Sequence, residues 1–182
     1  MTATHEELTA LWGADGMIYF PLDRFDDVLG PLTPEVFPPF GAIPVDVPIL
    51  FTVDVDVPGM ELFSKLKIEI GEASPRIHIV LGSSPEDPQL LFCLDALTGA
   101  VVLLDLETPN FETVNATFAA FVEFLYRLGG LIATDPGGRA RAARAARAAA
   151  IREELTGVDS SAFADPKSWW STAFDQLEST SG

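Results

Sequence analysis

The spacing of apolar residues changes near residue 113 of this chain, and that change limits the folds open to it. Before this point, short runs alternate apolar and polar residues, as in VDVDV at residues 53–57. A period of two is typical of a half-buried strand. After this point, the apolar residues of segment 118–128 recur at helical spacing. Short strands in close succession, without helices between them, indicate an antiparallel sheet.

We therefore predict an α+β fold, a single twisted and mainly antiparallel sheet flanked by helices. The covering helix is expected to begin near Asn115, which serves as its N-cap, and to stop at Gly129 and Gly130. The strands are expected at residues 49–57, 64–70, 76–81, 89–95 and 100–106.

The segment FCLDALTGAVVLLD at residues 92–105 joins two of these strands and carries the only cysteine. Gly99 supplies the positive φ that a tight turn requires, so the segment is predicted to be a β-hairpin. Asp95 is expected to accept hydrogen bonds from the amides of the turn. Cys93 lies in mid-strand between apolar neighbours, which favours a buried and unreactive thiol.

The remaining segments give weaker signals. Prolines recur between residues 21 and 58, which excludes a long helix there, and FPPFGAIP at 37–44 is predicted to be an irregular loop. A short helix with an acidic first turn is expected before Gly13. The closing DPKSWW predicts another helix, with Asp165 as N-cap and Pro166 in its first turn.

Two regions follow from this reading. Residues 1–135 are expected to form the sheet-and-helix domain, and residues 136–182 a C-terminal helical extension that packs on the same domain. The extension contains an Ala/Arg helix, with arginines at 141, 144 and 147, and a helix with two tryptophans. The arginines are expected to neutralise the acidic body of the protein; a nucleic-acid or membrane patch is the alternative.

The formal net charge of the chain is −16, and the imbalance is uneven. Residues 1–123 hold 20 acidic and 4 basic residues, whereas residues 124–182 hold 7 of each. A surface of this charge repels nucleic acid and attracts basic partners at a rate that depends on salt. The charge also fits a simpler role in keeping the protein in solution.

Signals for catalysis are weak. One cysteine cannot form an internal disulfide, and His5 and His78 lie far apart without the spacing of metal ligands. Asp54 and Asp56 share a face and could hold a divalent cation, but the solvent side of a strand explains them better. We predict no catalytic residues, no cofactor and no metal. With no signal peptide or apolar span apparent, a cytoplasmic location is expected.

Six motifs occur along the chain in a characteristic order. They are LTALWG near the start, GAIP at 41–44, IVLG at 79–82, CLDALTGAVVLLD at 93–105, VNATFAAFVEFL at 114–125, and DPKSWW near the end. This ordered set resembles the SUKH superfamily of bacterial immunity proteins, and most closely its fourth group. The resemblance covers nearly the whole chain, although the Ala/Arg segment at 136–152 has no counterpart among the motifs.

This resemblance implies a non-enzymatic protein of a polymorphic toxin system, whose partner is a cognate toxin domain, often a nuclease or a nucleic-acid deaminase. The basic site of such a toxin would meet the acidic surface, and neither nucleic acid nor a membrane is expected as a partner. A regulatory or scaffold module of the same fold is the alternative, and a metal-dependent hydrolase is a third, remoter one. The expected toxin-binding residues are Asp23, Asp26, Asp27, Asp54 and Asp56.

Overall fold

Five α-helices and nine strands make up the part of the chain that the computed structural model describes, residues 2–29, 41–69, 74–108, 110–134 and 141–179. The helices are α1 (His5–Trp12), α2 (Asp26–Leu29), α3 (Phe118–Thr134), α4 (Arg141–Val158) and α5 (Trp169–Glu178). The strands are β1 (Met17–Tyr19), β2 (Ala42–Pro44), β3 (Asp46–Val47), β4 (Phe51–Thr52), β5 (Lys65–Ile68), β6 (Arg76–Ser83), β7 (Leu90–Asp95), β8 (Val101–Asp105) and β9 (Asn110–Asn115). Short 3₁₀ helices lie at Leu22–Phe25 and Ser160–Phe163.

Seven of these strands form one curled antiparallel sheet, which confirms the predicted α+β fold. The order is β3-β4-β6-β7-β8-β9, and β5 also pairs with β6. β1 and β2 form a separate two-stranded ladder. The four strands that we predicted from residue 64 onward correspond to β5, β6, β7 and β8, and the predicted hairpin is β7 and β8.

The strand predicted at 49–57 is wrong beyond Thr52. β4 pairs with β6 only between Thr52 and Ser83, because β5 occupies the same edge of β6 from Ile79 to Arg76. The chain must therefore leave the sheet after β4 and rejoin it at β5. Gly82 lets β4 approach, since a Cβ atom at this position would lie 2.2 Å from the carbonyl oxygen of Thr52.

The main core lies between one face of the sheet and α3. Its centre is a cluster of aromatic side chains, in which the rings of Phe92 and Phe121 have centroids 5.3 Å apart. Phe51 contacts both rings at 5.6 Å. Aromatic pairs at this separation contribute beyond the area that they bury. The change of period near residue 113 is thus the boundary between the sheet and the helix that covers it.

The other face of the sheet holds a smaller core. Val80, Leu91 and Cys93 are fully buried there, covered by Val55 and Val57 of the segment that links β4 to β5. The alternation in VDVDV therefore has a structural basis, although the segment is not a strand. Val55 and Val57 face this side of the sheet, Val53 packs against the main core, and the two aspartates face solvent.

The covering helix differs from its prediction at both ends. Asn115 belongs to β9, a strand that the sequence analysis missed, and Thr117 accepts the capping hydrogen bond from the amide of Ala120 at 3.0 Å. The helix also continues through Gly129 to Thr134. Gly129 serves close packing rather than termination, because a Cβ atom there would lie 3.3 Å from the indole nitrogen of Trp12.

Of the other local predictions, one is confirmed and one is wrong. α1 begins at a capping box formed by Thr4 and Glu7 and ends at Gly13 as expected. The motif GAIP forms β2 instead of an irregular loop, because it pairs with β1. Residues 37–40 of that predicted loop lie outside the described residues.

The C-terminal helices pack on the sheet-and-helix body. α5 is capped by Ser168, whose hydroxyl accepts from the amide of Ser171, and not by Asp165 as predicted. Asp165 instead accepts from the amide of Lys167 at 2.8 Å and closes the preceding turn. Trp170 of α5 is fully buried in the main core.

A buried polar network connects these helices to β9. Asn115 accepts a hydrogen bond from the indole nitrogen of Trp170 at 2.8 Å and donates to Asp159 at 3.1 Å. Asp159 also accepts from the amides of Ala116 at 2.8 Å and Ser161 at 3.2 Å. Because each buried group finds a partner, the network joins three elements without an unsatisfied charge.

Replacing Asn115 tests this network. We expect Asn115→Ala to lower the free energy of unfolding by about 2–4 kcal/mol, because the buried indole N–H loses its acceptor and Asp159 loses a donor. Urea denaturation measures the change. Asn110→Ala, at the exposed start of the same strand, is the control and should change stability by less than about 0.5 kcal/mol. Equal losses in both variants would contradict the role of the network.

Thiol labelling tests the second core. Burial raises the pKa of Cys93 to about 12, so we expect the native protein to react slowly with a thiol reagent at both pH 7 and pH 9. An ordinary thiol, with a pKa of about 8.5, becomes much more reactive over that range. Ala149→Cys, exposed on α4, should add one fast-reacting thiol. Rapid labelling of the wild type would contradict the burial.

Candidate interaction surface

The eight residues of β6 separate two ends of the sheet by about 23 Å. One end carries the turns that join β3 to β4, β6 to β7 and β8 to β9, at residues 48–50, 84–89 and 106–108. We call this the hairpin end. The pairing of Thr52 with Ser83 directs the first of these turns beyond the end of β6, and Leu106 donates to the carbonyl of Gln89 at 3.1 Å.

Acidic residues dominate the hairpin end. Segments 46–56, 83–90 and 104–108 contain seven carboxylates and neither lysine nor arginine. No ion pair joins any of the seven to another side chain within the described residues. These uncompensated charges create a negative field at this end of the protein. The seven are Asp46, Asp54, Asp56, Glu86, Asp87, Asp105 and Glu107.

Hydrogen bonds within the turns hold two of these carboxylates in place. Asp105 accepts from the hydroxyl of Thr108 at 2.5 Å and from the amide of Glu107 at 2.9 Å. The bond from Thr108, followed by that from Glu107, lowers the pKa of Asp105. Asp87 accepts from the amide of Gln89 at 3.0 Å. The negative charge is therefore presented on ordered turns.

Two of the five predicted binding residues, Asp54 and Asp56, lie on the segment that follows β4, and Asp54 adjoins the hairpin end. The main-chain oxygen of Asp54 accepts a hydrogen bond from the hydroxyl of Ser83 at 2.6 Å, which fixes the segment beside the last residue of β6. Both aspartates are exposed. They lie on the segment that covers the second core, and not on a strand as predicted.

The other three predicted residues lie toward the opposite end of the sheet. Asp23 is in a 3₁₀ helix, and Asp26 and Asp27 form the first turn of α2. All three are exposed. Asp27 forms an ion pair of 3.3 Å with Lys65 of β5. The structure thus separates the five predicted residues into two groups.

Charges at the opposite end are mixed. Asp27 and Arg76 line a groove of about 500 Å³ together with the exposed Leu97. Arg76 donates to Asp95 at 3.0 Å, and Asp95 accepts from the amide of Leu97 at 2.8 Å, as the hairpin prediction required. Basic residues here compensate much of the acidic charge, so the two ends differ strongly in electrostatics.

Glu123 and His78 are titratable groups buried within the fold. Glu123 accepts from the amide of Ala3 at 2.6 Å and from Arg127 at 2.8 Å, which anchors the N-terminal segment to α3. His78 is fully buried beside Asp95, and burial lowers its pKa despite that carboxylate. Within the described residues, no group of three or more His, Cys, Asp or Glu side chains is arranged to hold a metal ion.

The Ala/Arg helix is α4, and its arginines behave differently from one another. Arg152 forms ion pairs with Asp175 at 2.8 Å and Glu178 at 3.4 Å on α5. Arg147 donates to the hydroxyl of Thr134 at 3.3 Å. Neither Arg147 nor Arg144 forms an ion pair within the described residues, and the side chain of Arg141 lies outside them, so neutralisation of the acidic body by these arginines stays a prediction.

Most of the hairpin-end carboxylates were not predicted from the sequence, although a signal was present. Antiparallel strands 76–81, 89–95 and 100–106 place alternate turns at the same end of a sheet. Glu86, Asp87 and Glu107 could therefore have been grouped from the predicted order alone. The position of Asp54 beside Ser83 could not have been predicted in this way, because it depends on the short β4.

Comparison with known proteins gives one match. A family model described as SUKH-4 immunity protein matches residues 3–176. The matched range includes residues 136–152, the segment without a counterpart among the motifs. No curated protein and no solved structure matches the chain at a significant level. Among the described residues, no helix is both long and apolar enough to cross a membrane.

Removing charge from the hairpin end should stabilise the fold slightly. Asp56, Glu86 and Glu107 are exposed and their carboxylates repel one another. We expect the triple variant Asp56→Asn, Glu86→Gln, Glu107→Gln to melt at or above the wild-type temperature in low salt. The difference should vanish at high salt, where the charges are screened. A lower melting temperature, measured by circular dichroism, would show that these side chains support the fold.

Proposed function

Because the chain belongs to the SUKH-4 immunity protein family, we propose that it neutralises a cognate toxin domain by binding it through the hairpin end. The role requires no chemistry from the immunity protein itself. Blocking the substrate site of the toxin is sufficient, and proteins of this family are generally non-enzymatic. The proposal therefore concerns the contact surface of this protein and the complementary surface of the toxin domain.

The observation that carries the proposal is the concentration of seven carboxylates in the segments that form and flank the hairpin end, none of them in an ion pair within the described residues. Neighbouring strands are about 4.8 Å apart, so the three turns span about 20 Å across the sheet. That width suits one side of a protein interface of standard size. A rim of one charge sign accelerates association with a partner of opposite sign.

The charge indicates the class of toxin. A nuclease or a nucleic-acid deaminase needs basic side chains to hold phosphates, and these side chains are the natural complement of the hairpin end. We infer that the partner belongs to a polymorphic toxin system and acts on nucleic acid. The same charge disfavours binding of the immunity protein to nucleic acid or to anionic lipid surfaces. A cytoplasmic location fits, because the substrate of such a toxin is there.

The hairpin end is favoured over the group around Asp27 for an electrostatic reason. Asp27 already pairs with Lys65, and Arg76 adds positive charge beside it. A basic partner approaching that end would meet cations as well as carboxylates. Of the five predicted residues, we therefore assign Asp54 and Asp56 to the interface and keep Asp23, Asp26 and Asp27 as a comparison set.

The test measures binding to the toxin domain encoded beside this protein. Association rates are compared at about 25 mM and 150 mM salt, which changes the range of electrostatic attraction. We expect the hairpin-end triple variant, Asp56→Asn with Glu86→Gln and Glu107→Gln, to associate about tenfold more slowly at low salt. The matched triple, Asp23→Asn with Asp26→Asn and Asp27→Asn, should change the rate by less than about twofold.

Each contrary result has a distinct meaning. A larger effect of the Asp23, Asp26 and Asp27 triple would move the interface to the opposite end. An association rate that changes neither with salt nor in either triple variant would refute the acidic contact. Absence of binding to the adjacent toxin domain would refute the neutralising role and favour the regulatory or scaffold alternative.

A further inference from the structure

Ile49 has a backbone conformation that its side chain disfavours. It lies in the turn between β3 and β4 with a φ of +74°. Positive φ is uncommon for any residue with a side chain, and a β-branched residue such as isoleucine is a clear outlier there. The turn itself, closed by a hydrogen bond from Leu50 to the carbonyl of Val47 at 3.0 Å, would accept glycine or asparagine more readily.

Burial does not offset this strain. The side chain of Ile49 is 56% exposed and belongs to neither core, although both Val47 and Leu50 beside it are buried. Phe63 provides a comparison, since it is the other described non-glycine residue with positive φ. Its ring packs against Phe20 in the main core, and its amide donates to Val80 at 2.8 Å. The fold stabilises Phe63 in its conformation but gives Ile49 no equivalent contact.

An apolar side chain that is exposed, on a residue with a strained backbone, suggests a contact with another molecule. Residues kept in unfavourable backbone conformations cluster at functional positions. The turn that carries Ile49 lies at the hairpin end, two strand positions from the turn between β6 and β7, or about 10 Å away. An apolar group there is flanked by charges that steer a basic partner, an arrangement typical of an interface with an anchor and a polar rim.

We propose that Ile49 is a specificity-determining contact, which inserts into an apolar depression on the toxin domain next to its basic site. This inference rests on the proposed function and adds a short-range contact to the long-range attraction. The strained turn holds the side chain away from the body of the protein. Its loss should raise the dissociation rate, whereas the acidic turns govern the association rate.

The test combines stability and binding in one variant. Ile49→Asn removes the apolar group and places a residue there that tolerates positive φ. We expect its melting temperature to rise by about 2–4 °C and its dissociation from the adjacent toxin domain to become at least about tenfold faster. Ile49→Val keeps a β-branched apolar side chain and should bind within about threefold of the wild type.

Leu97→Asn is the matched control. Leu97 is 60% exposed, in the turn between β7 and β8 at the opposite end. Removing a similar apolar side chain from that position should leave both rates of the complex unchanged. A slower association of the hairpin-end triple, measured in parallel, reports on the proposed function independently of Ile49.

The outcomes separate the two proposals. If Ile49→Asn is more stable and binds like the wild type, the contact is refuted while the acidic interface stands. A lower melting temperature for Ile49→Asn would make the residue structural, and would also refute the inference. If Leu97→Asn weakens binding as much as Ile49→Asn, the anchor is not at the hairpin end. If the wild type does not bind the toxin domain, both proposals fall.

Discussion

Two strands compete for the same edge of β6, and most of the structure depends on how that competition is resolved. β5 pairs along β6 from Ile79 to Arg76, which leaves β4 only the end at Ser83. The chain between them must leave the sheet and cross its outer face. This crossing provides the valines that bury the second core, while the pairing of Thr52 with Ser83 places the turn after β3 beyond the end of β6.

Gly82 makes it possible for β4 to pair at the end of the edge that β5 occupies. Any side chain there would overlap both the carbonyl of Thr52 and the ring of Phe51. A bulge between Val80 and Gly82 also shifts the register with β7, and bulges increase the local bend and twist of a strand. The same few residues therefore determine both the curl of the sheet around α3 and the position of the short β4.

The sequence predicted those features that depend on local pattern. Alternation identified β5, runs of β-forming and aliphatic residues identified β7 and β8, and the turn preference of Gly99 with the side chain of Asp95 identified the hairpin correctly. The extent of β4 was not predictable, since it is set by competition from residues that are distant in sequence. Likewise, Asn115 looks like a helix cap locally, but its side chain bonds to Asp159 and Trp170, which are 44 and 55 residues away. For the candidate surface, the sequence revealed the charge but not its grouping, because grouping follows from sheet order.

Most residues of the hairpin-end turns are exposed, such as Pro85, Glu86 and Glu107, and only a few of them, including Leu50 and Leu106, pack against the two cores. The scaffold and the proposed contact surface are therefore encoded by largely separate residues. Exposed turns tolerate substitution and insertion far better than the strands that they connect. A lineage whose toxin changes could alter these turns stepwise and keep the same sheet, much as antibodies diversify loops on a constant framework. The capacity to evolve recognition of a new toxin would then follow directly from the placement of the hydrophobic side chains in the scaffold.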